Sequence, residues 1–143
     1  MTRIVLDTNL FVSALLSPKG KPAFLLKLVL EGRLHMVLSR AILQEIKAVL
    51  QYPKVIRLLE KNNVSPGEID HLLQKIQGVT ILTPGELEVN HIKEDPSDNM
   101  FLACAVEGRA DFIISGDSHL TDLRAFQGVK IVNPDAFLKA ISA

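Results

Sequence analysis

Apolar residues fall in short blocks along the chain, and the spacing within each block changes from continuous to helical and back. Arg3-Ile4-Val5-Leu6 is an apolar run too short for a helix, and Asp7-Thr8-Asn9 follows with short polar side chains that favour a turn over more strand. Leu10 to Leu16 resumes as a short apolar helix, broken by Ser17-Pro18-Lys19-Gly20-Lys21. Pro22 opens a second helix through Leu30 that ends at Gly32, and Leu34 to Leu38 is the next strand. Ser39 caps a helix in which Ile42, Leu43, Ile46, Val49 and Leu50 recur at helical spacing, so one face is buried. At about 100° per residue, Glu45 lies just outside the Val49 edge of that face, where an acid is half-buried and aimed.

Two amphipathic helices form the middle of the chain. Pro53 to about Lys61 ends at Asn62-Asn63. Ser65-Pro66-Gly67-Glu68 is a capping box, followed by Ile69, Leu72, Leu73 and Ile76 on one face up to Gly78. Val79 to Leu82 predicts a third strand, and Thr83 to Glu94 a polar loop. Asp95, Pro96 and Asp98 then read as a helix start, with Asp95 as N-cap, Pro96 at the first helical position and Asp98 in the first turn. Met100 to Val106 is almost continuously apolar, as in a helix buried on most sides, and Gly108 stops it. Phe112-Ile113-Ile114 is a central strand that delivers Ser115-Gly116-Asp117 at its C-terminal end. Leu120 to Phe126 suggests one or two helical turns, Val129 to Val132 a fifth strand, and Asn133-Pro134 the start of a terminal helix through Ile141.

Strands that alternate with helices, with no hairpin signal between consecutive strands, predict a three-layer α/β/α sandwich around a central parallel sheet of about five strands. Residues 1–143 form a single domain, without repeat or linker. In such sheets ligands bind beyond the C-terminal strand ends, where the strand order reverses. Asp7 and Asp117 both lie there.

Composition narrows the setting. With 48% hydrophobic residues the chain is a compact globule rather than a disordered one. Cys104, the one cysteine, sits in the apolar helix and reads as a buried, inert thiol. Asp7 interrupts the first apolar run, so no signal-peptide pattern is present, and no apolar stretch is long enough for a bilayer; a cytoplasmic protein is expected. Lys+Arg and Asp+Glu balance at 16 each, so overall charge does not advertise nucleic-acid binding. A polyanion has to be met by a local patch or by metal ions.

Four acids have a geometric reason to converge: Asp7 after the first strand, Glu45 on the helix after the second, Asp98 at a helix start and Asp117 after the fourth strand. Without Lys or Arg at the same strand ends, such a group repels itself unless it takes up a proton or a cation. A hard, oxygen-binding ion, Mg2+ or Mn2+, suits carboxylates and water, whereas the lack of Cys/His clustering speaks against zinc. Ions of this kind activate water and neutralise a phosphodiester oxygen.

Leu6-Asp7-Thr8-Asn9, helical Glu45, Asp95-Pro96-Ser97-Asp98-Asn99 with Leu102-Ala103 beyond it, and Ile114-Ser115-Gly116-Asp117 resemble the PIN domain over essentially the full length. The start from Asp7 to Leu16 is similar to toxin-like bacterial and archaeal PIN proteins, relatives of the VapC toxins. The resemblance implies a PIN-like fold and a metal-dependent endoribonuclease acting on single-stranded or looped RNA, paired with an antitoxin protein and forming a homodimer. It assigns catalysis and metal coordination to Asp7, Glu45, Asp98 and Asp117, with Asn9 and Ser115 as supporting polar residues.

Each acid also has a plain structural role open to it. Asp7 and Asp117 fit turns, Asp98 a helix N-terminus and Glu45 a solvated helix face. Asp122 reads as a helix cap, His119 as a surface histidine, and His35, His71 and His91 as structural. Lys19, Lys21, Lys54 and Arg57 lie where they can rim a cleft, although a solvated face explains them as well. Phe11 and Tyr52 are the candidates for base stacking. A haloacid-dehalogenase-like phosphatase needs a second Asp where Asn9 stands, a P-loop has no Gly-rich run ending in Lys-Ser/Thr, and a receiver domain wants a lysine after a late strand. The competing class is a catalytically weak PIN-like module that binds RNA or protein.

Overall fold

The computed structural model describes residues 1–92 and 96–142. The Asp95 cap expected from sequence lies outside them. The chain runs through β1 (Arg3–Leu6), α1 (Thr8–Leu16), α2 (Lys21–Leu30), β2 (His35–Leu38), α3 (Arg40–Val49), α4 (Pro53–Lys61), α5 (Pro66–Val79) and β3 (Ile81–Leu82). A 3-10 turn at Pro96–Asp98 leads into α6 (Asn99–Glu107). Then follow β4 (Phe112–Ile114), α7 (Ser118–Thr121), β5 (Ala125–Phe126), β6 (Val129–Val132) and α8 (Pro134–Ser142).

Among the described residues the sheet has the order β3-β2-β1-β4-β6-β5. The first five strands in that order pair in parallel, and helices flank them, with α6 against β1, β2 and β4. The strands are buried on both faces, which is why they read as continuous apolar runs. Ile4, Val5, Met36, Val37, Ile113 and Ile114 have no exposed surface. From β1 the chain builds outward through β2 and β3 on one side and through β4 and β6 on the other. The order therefore reverses between β1 and β4.

Local signals set most helix ends. Ser39 Oγ accepts from the Ile42 amide at 3.2 Å and Ser65 Oγ from Glu68 at 3.1 Å; Asn133 Oδ1 accepts from Ala136 at 2.7 Å. Two expectations are corrected. Val79 belongs to α5, which leaves only Ile81–Leu82 in β3. Ala125–Phe126 is not helical but an antiparallel edge strand, β5, paired with β6. The hairpin between them turns at Gln127 and Gly128, whose φ values of 48° and 84° are both left-handed. Glycine adopts that conformation freely; glutamine gives no sequence sign of it.

Gly108 closes α6 where the helix crowds β2. A Cβ there would stand 2.2 Å from Val37 Cγ1 and 3.0 Å from both the Cys104 carbonyl oxygen and Thr83 Cγ2. Gly108→Ala is therefore expected to destabilise the fold by about 1–3 kcal/mol, as overpacked cores do. Urea denaturation should show a lower midpoint with an unchanged slope, and an unaltered midpoint would disprove the crowding.

Candidate active site

The β1–β4 pairing continues to the C-terminal edge and ends in polar residues. Leu6 is in register with Ile114, the Asp7 amide donates to the Ile114 carbonyl at 3.0 Å, and the Ser115 amide donates to Val132 at 3.0 Å. Two carboxylates are thereby delivered side by side at the point where strand order reverses. Fully buried Ser115 connects them: its Oγ donates to Asp7 Oδ2 at 2.6 Å and accepts from the Asp117 amide at 2.9 Å. Asp117 Oδ1 in turn accepts from the His119 amide at 2.9 Å, so its side chain also caps α7.

The other two acids arrive from helices. Glu45 projects from α3, half-buried, and the hydroxyl of buried Thr8 donates to its Oε2. Asp98, also buried, stands at the junction of the 3-10 turn and α6. Its neighbour Asn99 ties that junction to the preceding loop. Asn99 Oδ1 accepts from the amides of His91 and Ile92 at 3.1 and 2.8 Å, and its Nδ2 donates to the Ile92 carbonyl at 2.9 Å.

Asp7, Glu45, Asp98 and Asp117 line one cavity of about 130 Å³, together with Thr8, Asn9, Val49, Ser97 and Phe101. Burial raises the Asp7 pKa; the Ser115 hydrogen bond opposes the rise, and the charges of Asp117 and Glu45 add to it. A larger hollow of about 820 Å³ lies between the start of α3, residues 82–87 and α6. Its lining carboxylate, Glu107, is already occupied by the amides of Gly85, Glu86 and Leu87 at 2.8, 2.9 and 3.1 Å. The smaller cavity is the one with several converging acids.

The donor set fits a hydrated hard cation. All four acids offer oxygen, and a cavity of about 130 Å³ is large enough to admit water beside an ion. Among the described residues no three His, Cys, Asp or Glu side chains already stand together as a metal cage. An open ring of this sort suits Mg2+ better than zinc, because Mg2+ keeps several waters and takes only one or two carboxylates directly.

Sequence patterns placed the acids and Ser115 but not two residues that position them. Thr8 was a turn residue by composition, and its bond to Glu45 spans 37 positions in sequence. Asn99 carried no role of its own beyond its place in the Asp95-Pro96-Ser97-Asp98-Asn99 run. Phe11, expected as a stacking candidate, is buried and unavailable for that role. Lys21 pairs with Asp135, away from the cavity lining. Asp122 is exposed at the C-terminal end of α7 and does not line the cavity; His119, His35, His71 and His91 are exposed, and the His91 ring lies tilted against Phe126.

A doubly flanked parallel sheet with acids gathered at its switch point is an α/β architecture compatible with a PIN domain, and the comparisons agree with it. The PIN domain model matches residues 3–119, and the chain belongs to that family. PIN domains are generally nucleases and typically bind divalent metal ions. The uncharacterized protein MJ1680 of Methanocaldococcus jannaschii is 34% identical over 122 residues, covering 85% of this chain and 75% of that protein.

The raised Asp7 pKa has a consequence for stability. A carboxyl whose pKa is higher in the folded state costs stability as pH rises from its ordinary value of 3.8, and the cost is complete above the folded pKa. In metal-free buffer at neutral pH, Asp7→Asn should raise the melting temperature, and the gain should shrink as pH falls toward 4. Differential scanning calorimetry across that range checks it. An unchanged or lower melting temperature at neutral pH would mean that Asp7 is not under electrostatic stress.

Proposed function

We propose that this chain is an Mg2+- or Mn2+-dependent endoribonuclease that hydrolyses phosphodiester bonds in single-stranded or looped RNA. The observation that carries the reading is the ring of Asp7, Glu45, Asp98 and Asp117 around one cavity at the β1/β4 edge. A bound divalent ion would be held by these carboxylates and would supply charge neutralisation and a more acidic water. The chain's own residues do the positioning. Ser115 holds Asp7 and Asp117 at a fixed spacing, and Thr8 orients one oxygen of Glu45, which lines the cavity. Asn99 fixes the start of α6 and with it Asp98. Asn9, exposed on the rim, offers an amide to a phosphate or sugar.

The likeness of the Asp7 to Leu16 segment to toxin-like PIN proteins supports a place as the cytoplasmic toxin of a toxin-antitoxin pair, held in check by an antitoxin protein. The same likeness supports pairing of two copies.

The test is cleavage of a panel of single-stranded, hairpin and duplex RNAs with Mg2+, Mn2+ or EDTA. Wild type should cut only with metal. Asp7→Asn, Glu45→Gln, Asp98→Asn and Asp117→Asn should each lose on the order of 100-fold or more in rate, the scale of removing a charge-stabilising group. Metal-independent cutting, or full activity in all four variants, would refute the proposal. Tight RNA binding without cutting would favour the weakly catalytic binding module.

A further inference from the structure

The acidic cavity needs a feature that distinguishes an unpaired nucleotide from a base-paired one, and the turn between α3 and α4 carries a suitable group. Glu45 and Val49 line the cavity at i and i+4. Past Val49 the helix tightens: the Leu50 amide still reaches back four residues to Ile46, but the amides of Gln51 and Tyr52 reach back three, to Ala48 and Val49. The Tyr52 amide donates to the Val49 carbonyl at 3.1 Å, which keeps Tyr52 within one turn of a residue that lines the cavity.

Tyr52 is 54% exposed, and among the described residues it makes no side-chain hydrogen bond and no ring contact. An open aromatic face one turn from the cavity-lining Val49 is available to a ligand that reaches out of the cavity. The next element supplies positive charge. Lys54 and Arg57, on α4 directly after Tyr52, are exposed, and the ion pairs among the described residues engage Lys21 and Lys139 instead. Phe11, the other aromatic near the start of the site, is buried. An aromatic face beside uncommitted cations is the combination that binds single-stranded nucleic acid.

We infer that Tyr52 is the base-stacking platform of the site, taking the face of an unpaired nucleobase next to the nucleotide whose phosphate lies over the acids, while Lys54 and Arg57 attract the adjoining phosphates. The inference rests on the nuclease reading of the acidic cavity and names the residue that selects single strands. In a duplex each base is already stacked on its neighbours, so the ring of Tyr52 finds no free face there.

The chain has one tyrosine and no tryptophan, so its tyrosine ring signals in a proton NMR spectrum all belong to Tyr52. In EDTA, where metal-dependent cutting is off, an unstructured RNA oligonucleotide should move those signals upfield, and a perfect duplex of the same length should not. With metal present, Tyr52→Leu should raise KM for the single strand about 5- to 150-fold while kcat is kept, and Tyr52→Phe should restore wild-type KM. Equal shifts with duplex and single strand would overturn the inference, as would signals that respond only to protein concentration, the mark of contact between two copies. Cleavage of RNA with Tyr52 silent in NMR and KM unchanged in Tyr52→Leu would remove the platform and leave the nuclease standing. Wild type that neither cuts nor shifts with any RNA would remove both.

Discussion

Parallel pairing of β1 with β4 decides where the polar chemistry of this molecule goes. Both strands are buried on both faces, so each must turn polar at the edge of the sheet and nowhere sooner. Chain order then makes their shared edge the place where crossovers leave in opposite directions, which opens a crevice that no loop is required to fill. Asp7 and Ser115 are the first residues beyond that pairing. Their 2.6 Å hydrogen bond continues the contact between the strands as a side-chain contact. Everything else at the site is arranged around this pair.

A second constraint is electrostatic. Burying a carboxylate beside two others is unfavourable, and the Asp7 pKa rises accordingly, with burial as the main cause. Among the described residues lining the cavity there is no lysine or arginine to relieve it. The hydroxyls of Ser115 and Thr8 each satisfy one carboxylate oxygen, which fixes direction without removing charge. Fixed positions and a lining without lysine or arginine are what the proposed metal site rests on. By contrast, the Glu107 carboxylate is spent on three backbone amides and serves to hold residues 85–87 against α6.

Much of this was readable from residue order because the informative signals are local. Short apolar runs marked β1, β2, β4 and β6, and Ser39, Ser65 and Asn133 cap the helices they precede. The helical spacing of Ile42, Ile46 and Val49 put Glu45 at the border of a buried face, where the structure has it. What escaped depends on distant contacts or on backbone that side chains do not advertise. The Thr8–Glu45 bond and the Asn99 ties to residues 91–92 exist only once the layers have packed. Left-handed Gln127 hid a hairpin, and α1 is apolar on so many sides that its periodicity gave no way to see that Phe11 points inward. Asp98 stood in a predicted first turn; a 3-10 turn now precedes α6, and the acid ends up at the junction.

The measurement that bears most directly on the site is calorimetric titration of Mn2+ into metal-free protein, comparing wild type with Asp98→Asn and Asp117→Asn, the two acids delivered by different elements. The expected result is saturable binding to wild type and at least about tenfold weaker binding to each variant, the minimum seen even for residues that only support a metal ligand. No binding to wild type, or the same affinity in all three proteins, would contradict a metal centre built from these four carboxylates.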